Sequence, residues 1–374
     1  MYRIVLILLA VFVNLSADEY DFDMDAIEKT PYEFSGYLRL EDKAQRLNPD
    51  KKSQNYLHLE GLVDFSYTYD IFKFKTSVMG TYDYIKDKTS ESEAPINELY
   101  LEAKLNTNHT LLAGKESLKW GKGYFANPVA FFDRPKDPSQ PTLAREGYIL
   151  AKYSYNKSFD SELKNLSFDF VYLPSGYDVN KDYYRLVTDS KGSDNFATRI
   201  YMLLYDTDID FIYNYSNETN EKIGIDISKN IQTNFEIHAE YAKVVDGGYD
   251  YLLGIRYLSD YELTVISEYI YNSEGLTKEQ IQTSSSMQPF IAKDYLITLL
   301  TQKEPLDILY FSAYFKNMIN MQDNSMQNKL GVTYSFKNNI ETDLSYNLNS
   351  GKKLSEFGKK QVEDFLWLRV TWSF

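Results

Sequence analysis

The chain has 374 residues, no cysteine, three histidines, 34 tyrosines and a formal net charge of -14. The charge argues against a nucleic-acid partner, since phosphate binding depends on clustered Lys and Arg, and the missing cysteine removes disulfide scaffolds, Cys-ligated zinc, iron–sulfur clusters and a thiol nucleophile. With 25% charged residues and no run of roughly 20 apolar ones, the chain is not a bundle of transmembrane helices, so a soluble all-β protein or a membrane β-barrel remains.

Arg3 precedes an unbroken apolar stretch over 4–13, and Ser16 and Ala17 stand just before an acidic segment. This is the layout of a secretory signal, predicting residues 1–17 as a signal peptide cleaved after Ala17, although Leu15 occupies a place where a small residue is preferred. Residues 18–31 then form an acidic linker without periodicity. Its Asp21, Asp23 and Asp25 alternate like calcium-loop ligands, but Ala26 stands where the loop needs Gly and Tyr32 where it needs Glu. No metal or other cofactor is expected.

From Tyr32 to the chain end the pattern has a period of two. Leu57, Leu59, Val63, Phe65, Tyr67 and Tyr69 share one face, against His58, Glu60, Asp64, Ser66 and Thr68, with Leu62 alone breaking the polar set. Phe72, Phe74, Val78, Tyr82 and Tyr84 then alternate with Lys73, Lys75, Ser77 and Asp83. Such alternation predicts strands with a different solvent on each face, and no competing helical stripe is visible.

Short reversals rich in Asn, Asp or Pro fall at 70–71, 106–108, 206–208, 230–232, 260–261, 302–305 and 337–339, each after an even-numbered strand. Long polar connections at 121–146, 175–194, 273–292 and 350–361 follow odd-numbered ones. The stretch 156–165 is the exception, long for a turn at the short-turn end. The expectation is an all-β chain, a transmembrane antiparallel β-barrel of about 16–18 strands over 32–374, with short periplasmic turns and long external loops.

In the last strand Leu366, Leu368, Val370, Trp372 and Phe374 lie on one face, with Trp367, Arg369, Thr371 and Ser373 on the other. Here the chain resembles the porin-like outer-membrane proteins of Gram-negative bacteria, whose final strand commonly ends in Phe. The resemblance implies localisation in the cell outer membrane, contact with its lipid, an assembly signal at Phe374 for the barrel-assembly machinery, and a constriction by the loop after strand five. It leaves a homotrimer open. That loop would be 121–146, carrying Lys122, Asp133, Arg134, Lys136 and Arg145. The acidic, glycine-rich loop signature of the best-known general porins is missing, so their pore size and selectivity do not carry over.

Period two places Glu60, Asp64, Lys73, Lys75, Glu98, Glu102, Glu236, Glu240, Arg256 and Arg369 on the polar face, which in a wide barrel is expected to line water. Acid exceeds base on this wall, favouring weak cation preference, while the loop's cations oppose it. His58 and His238 fall on the same face and are expected to be solvated, and no G-x-S-x-G accompanies them, so no catalytic site and no enzyme is expected. The favoured function is a channel for passive diffusion of small hydrophilic solutes or ions. Alternatives are an adhesin or surface anchor, a fatty-acid-type hydrophobic transporter, for which Leu62, Met79 and Ile85 on water-facing positions speak, and, last, a barrel hydrolase.

Overall fold

The computed structural model describes residues 30–85, 88–183, 192–286 and 290–374. The predicted signal peptide, nearly all of the acidic linker and its three alternating aspartates lie outside these residues. The described strands form one antiparallel sheet closed on itself. Its strands are β1 (Tyr32–Leu47), β2 (Lys52–Tyr69), β3 (Phe72–Ile85), β4 (Glu91–Glu93 continued by Ile96–Lys104), β5 (His109–Glu116) and β6 (Tyr148–Ser158). Next come β7 (Leu163–Ser175), β8 (Ser193–Leu204), β9 (Thr207–Ser216), β10 (Lys222–Gln232), β11 (Phe235–Val244) and β12 (Tyr249–Leu258). The last are β13 (Leu263–Asn272), β14 (Asp294–Lys303), β15 (Phe311–Asn320), β16 (Met326–Phe336), β17 (Ile340–Ser350) and β18 (Val362–Ser373). Both pieces of β4 pair with β3, giving an 18-strand barrel.

Closure runs through β1, which pairs with β2 on one side and β18 on the other, with Arg39 opposite both Glu60 and Thr371. At this seam Phe374 and Gly36 exchange backbone N–H···O bonds of 3.0 Å, and the Phe374 ring lies 5.6 Å from Phe34 and 5.0 Å from Trp372. The pleat then sorts side chains as the alternation requires. Leu59 and Val63 are 40% exposed on the outside of β2, whereas Glu60 and Leu62 are 8% and 4% exposed on the inside. An outward apolar surface on a sheet without free edges is the form in which strands cross a bilayer, because every backbone amide is paired.

At one end the connections are tight. Tyr205 and Asp206 join β8 to β9 with φ of 49° and 53°, the left-handed pair that matches the twist of a two-residue hairpin. The exception at 156–165 disappears, since β6 and β7 run into it and leave only 159–162 as a turn. The opposite end carries the long connections 117–147, 176–192, 273–293 and 351–361, alongside short ones such as 48–51 and 245–248. Within 273–293 sits one helical turn the sequence did not announce, α1 (Lys278–Thr283). At six residues it is too short for a periodic stripe, but Thr277 and Gln280 form a capping box around its start.

Candidate functional site

The 117–147 connection folds across the barrel interior. Its first leg lies against β9–β13. Lys122 stands 3.6 Å from Asp210 of β9, and Glu240 of β11 accepts from the N–H of Gly123 at 2.7 Å, the Asn127 amide at 2.9 Å and the N–H of Val129 at 3.2 Å. Glu268 of β13 accepts from the N–H groups of Tyr124 and Phe125 at 2.5 and 2.9 Å, and from His238 Nε2 at 2.9 Å. Gly121 makes this approach feasible: its φ is +94°, and a Cβ there would sit 2.8 Å from Glu240 Oε1.

The second leg crosses to β15–β18. Lys316 donates to the carbonyls of Pro138 and Ser139 at 2.9 and 2.8 Å, Ser139 donates to Gln327 at 3.3 Å, and Arg369 reaches Gln140 while pairing with Glu41 at 2.9 Å. On the way back Arg134 pairs with Asp182 and Glu146 and lies 4.8 Å from the centre of the Tyr148 ring. Arg145 donates to the Arg134 carbonyl at 2.6 Å. Asp133 accepts from Ser117 and from the Trp120 N–H at 3.0 and 3.1 Å, and burial pushes its carboxyl above the usual range against the opposing pull of Arg145. Burial likewise lowers the Lys136 ammonium, as does the nearby Arg145.

Beneath the first leg the interior is an apolar core. Trp120, Val129 and Phe132 of the loop pack with inward-facing Leu112, Leu150, Val171, Leu173 and Ile212, and Val129 and Phe132 are 0% exposed. Phe125 joins a second cluster with Leu252, Ile266, Ile297, Ile281 of α1 and Phe357. The opposite side stays open. Between the loop and β1–β4 lies a cavity of about 770 Å³ bordered by Arg39, Asp64, Lys75, Ser77, Asn97 and Glu98 on the wall, and by Lys119, Asn127, Lys136 and Arg145 on the loop.

The ten predicted wall residues all take the inward phase, but their surroundings divide. Asp64, Lys75 and Glu98 border the cavity, and Lys75 pairs with Glu98 at 2.6 Å. Glu60 is held by Arg39 at 2.9 Å, Lys73 and Glu102 face each other across β3 and β4, and Arg256 stands 3.9 Å from Glu236. Glu240 does not meet water, being 2% exposed beneath the loop. The two strand histidines are also not solvated side chains. His238 is 3% exposed beside Glu268, and His58 bridges Asp83 at 2.6 Å and Glu60 at 3.4 Å. The pattern cannot distinguish an inward residue in water from one under a covering loop. No local pattern marks Arg39, Asn97 and Lys119 as cavity residues. The loop glycines Gly121 and Gly123 were a signal, since paired glycines permit close backbone approach.

A closed antiparallel sheet of 18 strands with an apolar exterior is the fold of the outer-membrane porins. No protein-family model matches the chain, and no curated protein matches it in sequence. Among solved structures it is similar to Pseudomonas aeruginosa OccK9 (OpdG), with a TM-score of 0.59 and 10% identity over 92% of this chain and 98% of that one. Pseudomonas aeruginosa OccK5 (OpdH) gives 0.58 and 11% over 92% and 98%, and Acinetobacter baumannii OccAB4 gives 0.58 and 10% over 93% and 99%. At these identities the likeness is one of fold.

Proposed function

We propose that the chain is an outer-membrane channel passing small hydrophilic solutes by diffusion, with 121–146 as its constriction. One observation carries this reading: the loop is bonded across the interior to Glu240, Glu268, Lys316 and Arg369, and leaves a cavity beside β1–β4. Solute is filtered by size between that loop and wall. Cations also outnumber anions there, with Arg39, Lys75, Lys119, Lys136 and Arg145 against Asp64 and Glu98. Much of the acidic surplus that favoured cations, including Asp226, Glu240 and Glu268, is sealed away at 0–2% exposure. A narrow passage feels the charges that border it, within about a Debye length of roughly 8 Å, so the intact channel prefers anionic solutes.

Export by a signal cleaved after Ala17, and assembly aided by the aromatic Phe374 at the barrel seam, belong to the same reading. Single-channel recording in a planar bilayer under a salt gradient tests it. Discrete conductance steps with an anion-side reversal potential are expected. A folded barrel that gives a flat trace would overturn the channel in favour of a surface anchor.

A further inference from the structure

We propose that Glu240 and Glu268 are positioning residues that set the width of the passage by fixing segment 123–129 of the loop against the far wall; the inference rests on the channel reading. Two carboxylates take the N–H groups of Gly123, Tyr124, Phe125 and Val129 together with the Asn127 amide. Both side chains are buried, at 2% and 0% exposure, so the charge-assisted bonds form where water does not compete. The apolar contacts of Phe125 and Val129 hold the loop down without direction, and a non-directional contact permits sliding. The carboxylates remove that freedom, because each donor has one place to point.

The posts are themselves oriented. His238 donates from Nε2 to Glu268 and occupies space left by Gly254, where a Cβ would come within 2.0 Å of that nitrogen. Glutamine cannot replace either post, since one of its two terminal atoms would present N–H to the N–H groups of the loop. Asn127, held by Glu240, also borders the cavity, so a shift of the segment moves the edge of the passage.

The chain has no cysteine, which makes an engineered tether unambiguous. A Cβ at Gly224 would lie 3.2 Å from that of Val129, close to the roughly 3.5–4.5 Å of a disulfide, so Val129→Cys with Gly224→Cys can lock the loop to β10. The experiment compares the wild type, Glu240→Gln/Glu268→Gln, and that double variant carrying the cysteine pair. Folding is checked by heat-modifiable migration. The amides of Gly123, Tyr124, Phe125 and Val129 should exchange about tenfold faster in the double variant, the loss of one or more hydrogen bonds. Its conductance should rise about twofold with added flicker and admit larger neutral polymers, as a wider constriction demands. Oxidising the cysteine pair should restore the wild-type conductance, and reduction should release it again.

Unchanged exchange, or faster exchange with unchanged conductance, in the folded double variant would overturn the proposal. A silent wild type with accelerated exchange in the variant would support the anchoring and overturn the channel on which the width depends. If the double variant does not fold, Glu268→Gln alone carries the same readouts with a smaller change and is judged by the same outcomes.

Discussion

The two sides of the barrel interior are written in the same alternating pattern and end in opposite states. Against β5–β15 the loop buries Val129, Phe132 and Phe125 on inward-facing aliphatic residues, and acids such as Glu240 are sealed beneath it. Against β1–β4 the wall keeps Arg39, Asp64, Lys75 and Glu98 beside a cavity. Facing inward therefore fixes a side chain's direction, while the covering segment fixes its solvent. The inward aliphatics Leu112, Leu150, Val171 and Ile212 are an internal core that one loop completes, not lapses in a polar lining.

The largest effect should come from breaking the sealed side. Phe132→Ala removes a ring with no exposure and should cost about 3–5 kcal/mol, read as a lower denaturant midpoint. Leu143→Ala on the open side should stay within about 1 kcal/mol. Equal losses would mean that the two sides are packed alike. Next, Val78→Arg places a charge on the outward face, where Val78 is 41% exposed, and should impair assembly by about 2–4 kcal/mol if near the midplane. Its neighbour Ser77 borders the cavity, so Ser77→Arg should assemble and conduct less. If both variants assembled equally well, the register would be off by one residue.

Selectivity divides the sides more gently. Lys119→Glu with Arg145→Glu should move the reversal potential toward cations, whereas Asp226→Asn, at 0% exposure on the sealed side, should leave it where it was. A shift from Asp226→Asn would show that water reaches the buried acids. The smallest change concerns pH. Because burial and Arg145 lower the Lys136 ammonium, it sheds its proton below the 10.5 usual for lysine. Anion preference should accordingly weaken as pH rises through that lowered value, before ordinary lysines titrate. A reversal potential that stays flat until the ordinary lysine range would exclude Lys136 from the passage.

What the sequence made legible follows from distance along the chain. The faces of β2 and the apolar row from Leu366 to Phe374 depend on a local period, and the barrel has them in that phase. The inward turn of the loop depends on contacts such as Gly123 with Glu240, 117 positions apart, and no local pattern announces those. His238 shows the limit well, because its alternation phase is right and its surroundings are opposite to expectation. The alternating residues predicted a wide interior, but the volume filled by Trp120, Val129 and Phe132 was not deducible from them.

The pairing of β1 with β18 has a consequence for the order of events in making the protein. The side chains of Arg369 and Glu41 meet across 328 positions of chain, so during assembly the free edge of β1 stays unpaired until β18 reaches it. Until then that edge is a template for pairing with another chain, and such long-range closure is intrinsically slow. A chain interrupted before Val362 would keep most of its strands and lose the seam. Such a fragment should accumulate as aggregate rather than as a smaller barrel.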